Sequence, residues 1–317
     1  MDDLGLQQFR HHRPSAALAL FWIPAVVFWP YFFGLVVLGI GVPAAIKSAS
    51  RQTSALNKII QFGPVLFAMA MAIFGGDHLV AAKFVATGVP SWIPGHLFWA
   101  YFVGVALIAG ALSLVTNKQA RLAAALLGIM IFLFVLLIHI PACFASPHDR
   151  TRYTILLRDL SLSCGVSAFA ASQTERWRTH GMQRIIIAAR FLMAIVALVF
   201  GVEHFIYPQA APGIPQENSA LMVTMPSWIP GHVFCAYLTG AVFIACGLGL
   251  TTKRARLAAG SLGIWVLFLV FLVYLPLVIE KPLDIANALN YLAIHSALAG
   301  AALLLADSLT KEEHSQV

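Results

Sequence analysis

The chain has 317 residues, of which 60% are hydrophobic and only 10% charged, and its formal net charge is +7. A soluble domain carries about 25% charged residues, so a water-soluble globular protein is excluded. Nucleic acid is excluded as a partner too, because the basic residues sit in short clusters between apolar runs, where they act as topology signals. What remains is an integral membrane protein whose first partner is the lipid bilayer.

A spanning helix needs roughly 20 mostly apolar residues, and nine runs in the chain qualify. The first, about Ala16 to Val42, holds Pro24 and Pro30, which predicts a kinked or partly inserted helix. It is too long for a cleavable signal peptide, and no small-residue cleavage site follows it. The other eight begin near Ile59, Leu97, Leu122, Tyr153, Ile185, Val233, Leu257 and Ile285.

Those eight runs form an internal repeat. Asp77-His78 closes one run and Glu203-His204 its counterpart. Pro-Ser-Trp-Ile-Pro-Gly-His then occurs twice, at 90–96 and 226–232. Phe98-Trp99-Ala100-Tyr101 is matched by Phe234-Cys235-Ala236-Tyr237, and Ala120-Arg121-Leu122-Ala123-Ala124 by Ala255-Arg256-Leu257-Ala258-Ala259, before prolines at 141 and 276. The expected fold class is an all-α integral membrane protein of two tandem parallel-repeat four-helix bundles plus one N-terminal apolar helix. The expected boundaries are a tail and first helix at 1–57, unit one at 58–172, a charged linker at 173–181, unit two at 182–307 and a tail at 308–317. An even helix count puts both units in the membrane the same way up, unlike the inverted repeats of many transporters.

The order acid-His, Trp-Ile-Pro-Gly loop, aromatic-Ala-Tyr-x-x-Gly helix start and Ala-Arg-Leu-Ala-Ala helix ending in Pro resembles the DoxX family of small four-helix membrane proteins. The resemblance covers both repeats and leaves out the N-terminal run; two units in one chain depart from the usual single unit. Founding members of that family are associated with a thiosulfate:quinone oxidoreductase. The resemblance therefore implies a membrane subunit supporting quinone-linked redox chemistry, which need not be catalytic alone and for which an accessory role is one option, with other membrane protein subunits as candidate partners. The alternative is a non-enzymatic subunit that binds lipid or another hydrophobic molecule or stabilises a larger membrane complex.

Ionisable groups at membrane depth are costly and mark functional sites. The candidate proton-handling residues are therefore Asp77, His78, Glu203 and His204, since a carboxylate beside a histidine can fix its tautomer and the ring can trade a proton with a quinone carbonyl. The candidate ligand-binding set is Trp92, His96, Tyr101 and His139 in the first repeat, and Trp228, His232, Tyr237 and Tyr274 in the second. The heptapeptide also has a purely structural reading: Trp92 and Trp228 suit the aromatic belt, and Pro94 and Pro230 suit positions just inside a helix start. Arg121 and Arg256 are expected to face lipid or a partner at the opposite membrane face. The stretches Ala124 to Gly128 and Ala259 to Gly263 are expected to pack helices closely.

Most lysines and arginines outside the first tail, among them Lys47, Arg51, Lys118, Arg184, Arg190 and Lys253, fall on one side, with Arg150, Arg152 and Arg158 the main exceptions. With the first run spanning, the positive-inside bias predicts the N-terminus outside, the C-terminus inside and both heptapeptides on the extracytoplasmic face; the expected location is a prokaryotic plasma membrane. Cys143, Cys164, Cys235 and Cys246 contain no C-x-x-C, so dithiol chemistry lacks its signature. The apolar runs show no H-x-x-x-H, C-x-x-C-H or E-x-x-H, so the expected metal set is none and haem is disfavoured; quinone is the candidate small molecule. Between Glu203-His204 and the second heptapeptide lies an insert, Tyr207 to Asn218, with three prolines. It reads as a lid on one pocket, a docking segment or a linker.

Overall fold

The computed structural model describes residues 24–173, 180–216 and 224–313, and the following statements concern those residues. The start of the first apolar run, residues 174–179 of the joint, the end of the insert and the chain termini lie outside them. Nine helices are long and apolar enough to cross a membrane: α1 Ala25–Ala49, α2 Ala55–Val80, α3 His96–Thr116, α4 Ala120–Ala145, α5 Arg150–Ser172, α6 Gly181–Ile206, α7 His232–Leu250, α8 Ala255–Glu280 and α9 Ile285–Leu309. The chain is an all-α integral membrane protein.

Pro24 precedes α1 and fits a helix entry, because its missing N–H would be unsatisfied there anyway. Pro30 and Pro43 both lie inside α1, which nevertheless continues to Ala49. Its buried stripe, Val27, Pro30, Gly34, Val37, Gly41, Ala45 and Ala49, advances by steps of three or four, the spacing of a helix laid along one neighbour. That neighbour is α2, with α3 at the margin.

From α2 to α9 each helix packs on the next, and α9 returns to α2, so the eight repeated helices close a ring. The helices α5 and α9 also touch each other across its middle. The first helix of each repeat thus packs on the fourth helix of the other repeat: α2 on α9, and α6 on α5. The central pair are the two least apolar spans, as suits helices that face protein instead of lipid. Of an 18-residue apolar stretch within α9, 94% is buried, against 28% of one within α1. Close approach at the α2–α9 contact needs glycine on both sides: a Cβ on Gly300 would lie 2.6 Å from the Phe67 amide nitrogen and 2.9 Å from the Gly63 carbonyl oxygen. The small-residue stretches of α4 and α8 do similar work, with Ala124 and Ala259 wholly buried and Ser163 Oγ donating to the Gly128 carbonyl at 2.9 Å.

At the end opposite the heptapeptides, Arg190 donates to the carbonyls of Leu250 (2.5 Å) and Thr252 (2.8 Å), closing the C-terminus of α7. The two repeated arginines differ from each other. Arg121 is exposed, whereas the Arg256 guanidinium donates to Asn57 Oδ1 and so ties α8 to the start of α2.

Candidate functional site at the heptapeptide end

Each heptapeptide folds as a tight turn followed by a left-handed glycine. The Ile93 N–H donates to the Pro90 carbonyl at 2.9 Å, and the Ile229 N–H to the Pro226 carbonyl at 3.0 Å. Gly95 (φ 74°) and Gly231 (φ 68°) cap α3 and α7 in a conformation that other residues rarely adopt. Pro94 and Pro230 therefore stand just before the cap and not inside the helix, because the αL residue intervenes. His96 and His232 are the first helical residues and are half-buried. Trp92, Trp228, Tyr101 and Tyr237 are all exposed, and Tyr237 stacks on Phe205 with ring centroids 5.6 Å apart. These four aromatic side chains stand on the outer surface of the bundle and do not line its interior.

Adjacent residues on an α-helix point about 100° apart, and this splits each acid-His pair. Asp77 faces the Asn290 side chain of α9, while the His78 Cβ packs at Gly104 of α3. Glu203 faces Arg150 at the start of α5, while the His204 Cβ packs at Gly240 of α7. The acids therefore sit on the seams between repeats and the histidines inside their own repeat. The carboxylates do not orient the rings. His78 Nδ1–H donates to the Phe74 carbonyl at 2.7 Å and His204 Nδ1–H to the Phe200 carbonyl at 2.6 Å. A carbonyl can only accept, so the proton is assigned to Nδ1, and Nε2 is left as an acceptor.

In the second repeat that acceptor is used. The insert turns into the bundle, with Ala210, Ala211 and Ile214 buried. The Gly213 N–H donates to His204 Nε2 at 3.0 Å and the Ile214 N–H to His295 Nε2 at 3.1 Å. His295 repeats the same logic, its Nδ1–H donating to the Tyr291 carbonyl at 2.7 Å. Tyr274 stacks on His295 at 3.7 Å between centroids and donates its hydroxyl to the Pro212 carbonyl at 2.6 Å. Arg150, from the first repeat, donates to the Pro215 carbonyl at 2.7 Å. Gly213 has φ 109°, and a Cβ there would lie 2.7 Å from the His295 ring. The insert is thus a plug in the second repeat.

The first repeat has no plug. His139 stands where Tyr274 stands, each at the end of a π-helical turn, Val135–His139 and Val270–Tyr274. Such turns re-aim side chains and recur at functional sites. His139 Nε2 bonds Asp159 Oδ2 at 2.8 Å, and Arg158 Nε donates to Asp159 Oδ1 at 2.7 Å, so a buried carboxylate is held on both oxygens. His78 Nε2 has no hydrogen-bond partner among the described residues.

A cleft of about 560 Å³ opens at the α5–α6 seam between Arg150, Tyr153, Leu198, Val202, Glu203 and Tyr207. The Arg150 guanidinium lies over the Tyr207 ring, 4.2 Å from its centroid. Glu203 Oε2 is buried without a hydrogen-bond partner, and so is Asn290 Oδ1 on the other seam. All four cysteines are free. Among the described residues no three His, Cys, Asp or Glu side chains group closely enough to hold a metal ion.

Sequence reading named Asp77, His78, Glu203, His204, His139 and Tyr274, which the structure gathers at this end of the bundle. It passed over His295, Asn290 and the Arg158–Asp159 pair; lone polar residues inside apolar runs are the signal that marks them. No protein-family model, no curated protein and no solved structure matches the chain.

Proposed function

We propose that the chain is a DoxX-like integral membrane subunit that supports quinone-linked redox chemistry at its heptapeptide end. In this reading it sits in a prokaryotic plasma membrane with that end and the N-terminus extracytoplasmic. The observation that carries the reading is Glu203: a buried carboxyl oxygen without a partner, at the mouth of a cleft walled by Leu198, Val199, Val202 and Ile206 and faced by Arg150. An unpaired polar atom in such a place is costly unless a ligand completes it. The walls suit a lipid-soluble molecule with an apolar body and a polar head that accepts or gives a hydrogen bond. A quinone, when bound, supplies two-electron, two-proton chemistry.

Glu203 holds the head and carries the exchangeable proton, and Arg150 balances negative charge beside it. Asp77 takes the corresponding position on the other seam. His78 is the second proton carrier, its Nε2 lone pair being uncommitted. His204 has both ring nitrogens occupied by backbone groups and acts as a positioning residue for the plug.

The plug also favours a second reading, a non-enzymatic subunit that binds lipid or braces a larger membrane complex, because it commits two histidines to structure. The experiment that separates the two is purification in nanodiscs followed by organic extraction and mass spectrometry. The redox reading expects quinone at a fixed ratio to the chain in the wild type and its loss in Glu203→Gln. Phospholipid alone in both proteins would leave the second reading standing.

A further inference from the structure

The two repeats present the same helix face to different surroundings. On α2, Val65, Met69 and Ile73 are buried, and Gly76 lies against the backbone of Pro30, because α1 covers them. Gly34 of α1 sits on Ile73, and Gly41 on Val65 and Val115. With His78 aligned to His204, the same positions on α6 are Phe191, Ile195, Val199 and Val202. There Phe191 is 44%, Ile195 52% and Val202 47% exposed. The correspondence continues at the heptapeptide end. Tyr31 of α1 donates to the Pro282 carbonyl at 2.9 Å beside the Asp77 seam. Pro147, which holds the place of Pro282 in the first repeat, lines the cleft beside Glu203.

We infer that this face of α6 seats a single transmembrane helix of another polypeptide, laid along it as α1 is laid along α2 and walling the cleft off from lipid. The intramolecular precedent sets the chemistry of the occupant. It is an apolar span with glycine or alanine where it meets Phe191 and Val199, and a hydrogen-bond donor at the height of Pro147, the role Tyr31 of α1 has towards the Pro282 carbonyl. Val202 in place of Gly76 holds the seated helix farther away at that level, where the cleft needs room. A lipid acyl chain brings neither small residues at fixed helical spacing nor such a donor. In a second copy, α1 is already seated on its own α2. The inference rests on the symmetry between repeats and stands apart from the quinone reading.

The test is photocrosslinking of the full chain in its native membranes, with benzoylphenylalanine placed at Ile195 and, as control, at Phe271, which is exposed on α8. The expected result is a crosslink from position 195 that maps by peptide sequencing to an apolar span of a different polypeptide. That crosslink is absent from position 271. It is also lost from a probe at Val202 when Ile195→Trp fills the seat, while the variant keeps the wild-type size-exclusion profile. Crosslinks to lipid alone overturn the inference, and so does a product made of two copies of this chain. Either result leaves the extraction experiment on Glu203→Gln unaffected.

Discussion

His204 and His295 do in the second repeat what a strand edge does in a sheet: each accepts one of two consecutive backbone N–H groups. Removing either ring leaves a buried N–H unpaired, which costs about 1–3 kcal/mol. Because the two bonds hold one loop, the double substitution His204→Ala with His295→Ala is expected to cost less than the sum of the single ones. Thermal unfolding of the four proteins in nanodiscs measures this directly. Gly213→Ala attacks the same contact from the loop side. With φ 109° and the His295 ring in the way, it is expected to loosen the plug at a cost of about 1–3 kcal/mol, read as faster proteolysis within residues 207–216. In the first repeat, Asp159→Ala removes the group that neutralises Arg158 and binds His139. Breaking a buried pair from one side costs about 3–5 kcal/mol, more than His139→Ala should, and the melting temperatures should rank accordingly.

At the scale of elements, the helices were legible because a bilayer demands long apolar runs, and the paired motifs made the repeat plain. The plug was not. A proline-rich insert ordinarily runs over the surface, since a buried loop carries backbone groups that need partners. Those partners are His204, His295, Tyr274 and Arg150, which come from α6, α9, α8 and α5 and share no local pattern with the loop. His295 was hidden for a second reason: its place in the first repeat is taken by Leu160, so comparison of the copies did not mark it. The acid-His pairs were found but their geometry was not, because neighbours in sequence diverge around a helix. Shortening the second loop to the length of the first should expose the His204 ring, whose modification by diethylpyrocarbonate would then rise towards that of His78. Unchanged reactivity would show that the ring is shielded by something other than the plug.

For the whole molecule, the repeat predicts two units, and the contacts distribute them around one ring. The α2–α9 and α5–α6 seams each join one unit to the other, so neither half owns its full set of partners. Residues 58–172 and 182–307 expressed separately are therefore expected to aggregate in mild detergent. Expressed together they are expected to elute as one complex, a result that size-exclusion chromatography reads. Two halves that are each monodisperse alone would contradict the shared ring.

The burial of α9 has a consequence in time. The ribosome delivers this span after the other eight, yet it is the one that packs into the middle of the ring, against α2, α5 and α8. Until then α2, α5 and α8 hold open a groove floored by Gly63, Gly165 and Gly263, with no neighbour along it. The nascent chain must keep that groove from closing on lipid or on itself, and a stop codon before Ile285 would yield a product for quality control to clear, not a protein lacking one helix.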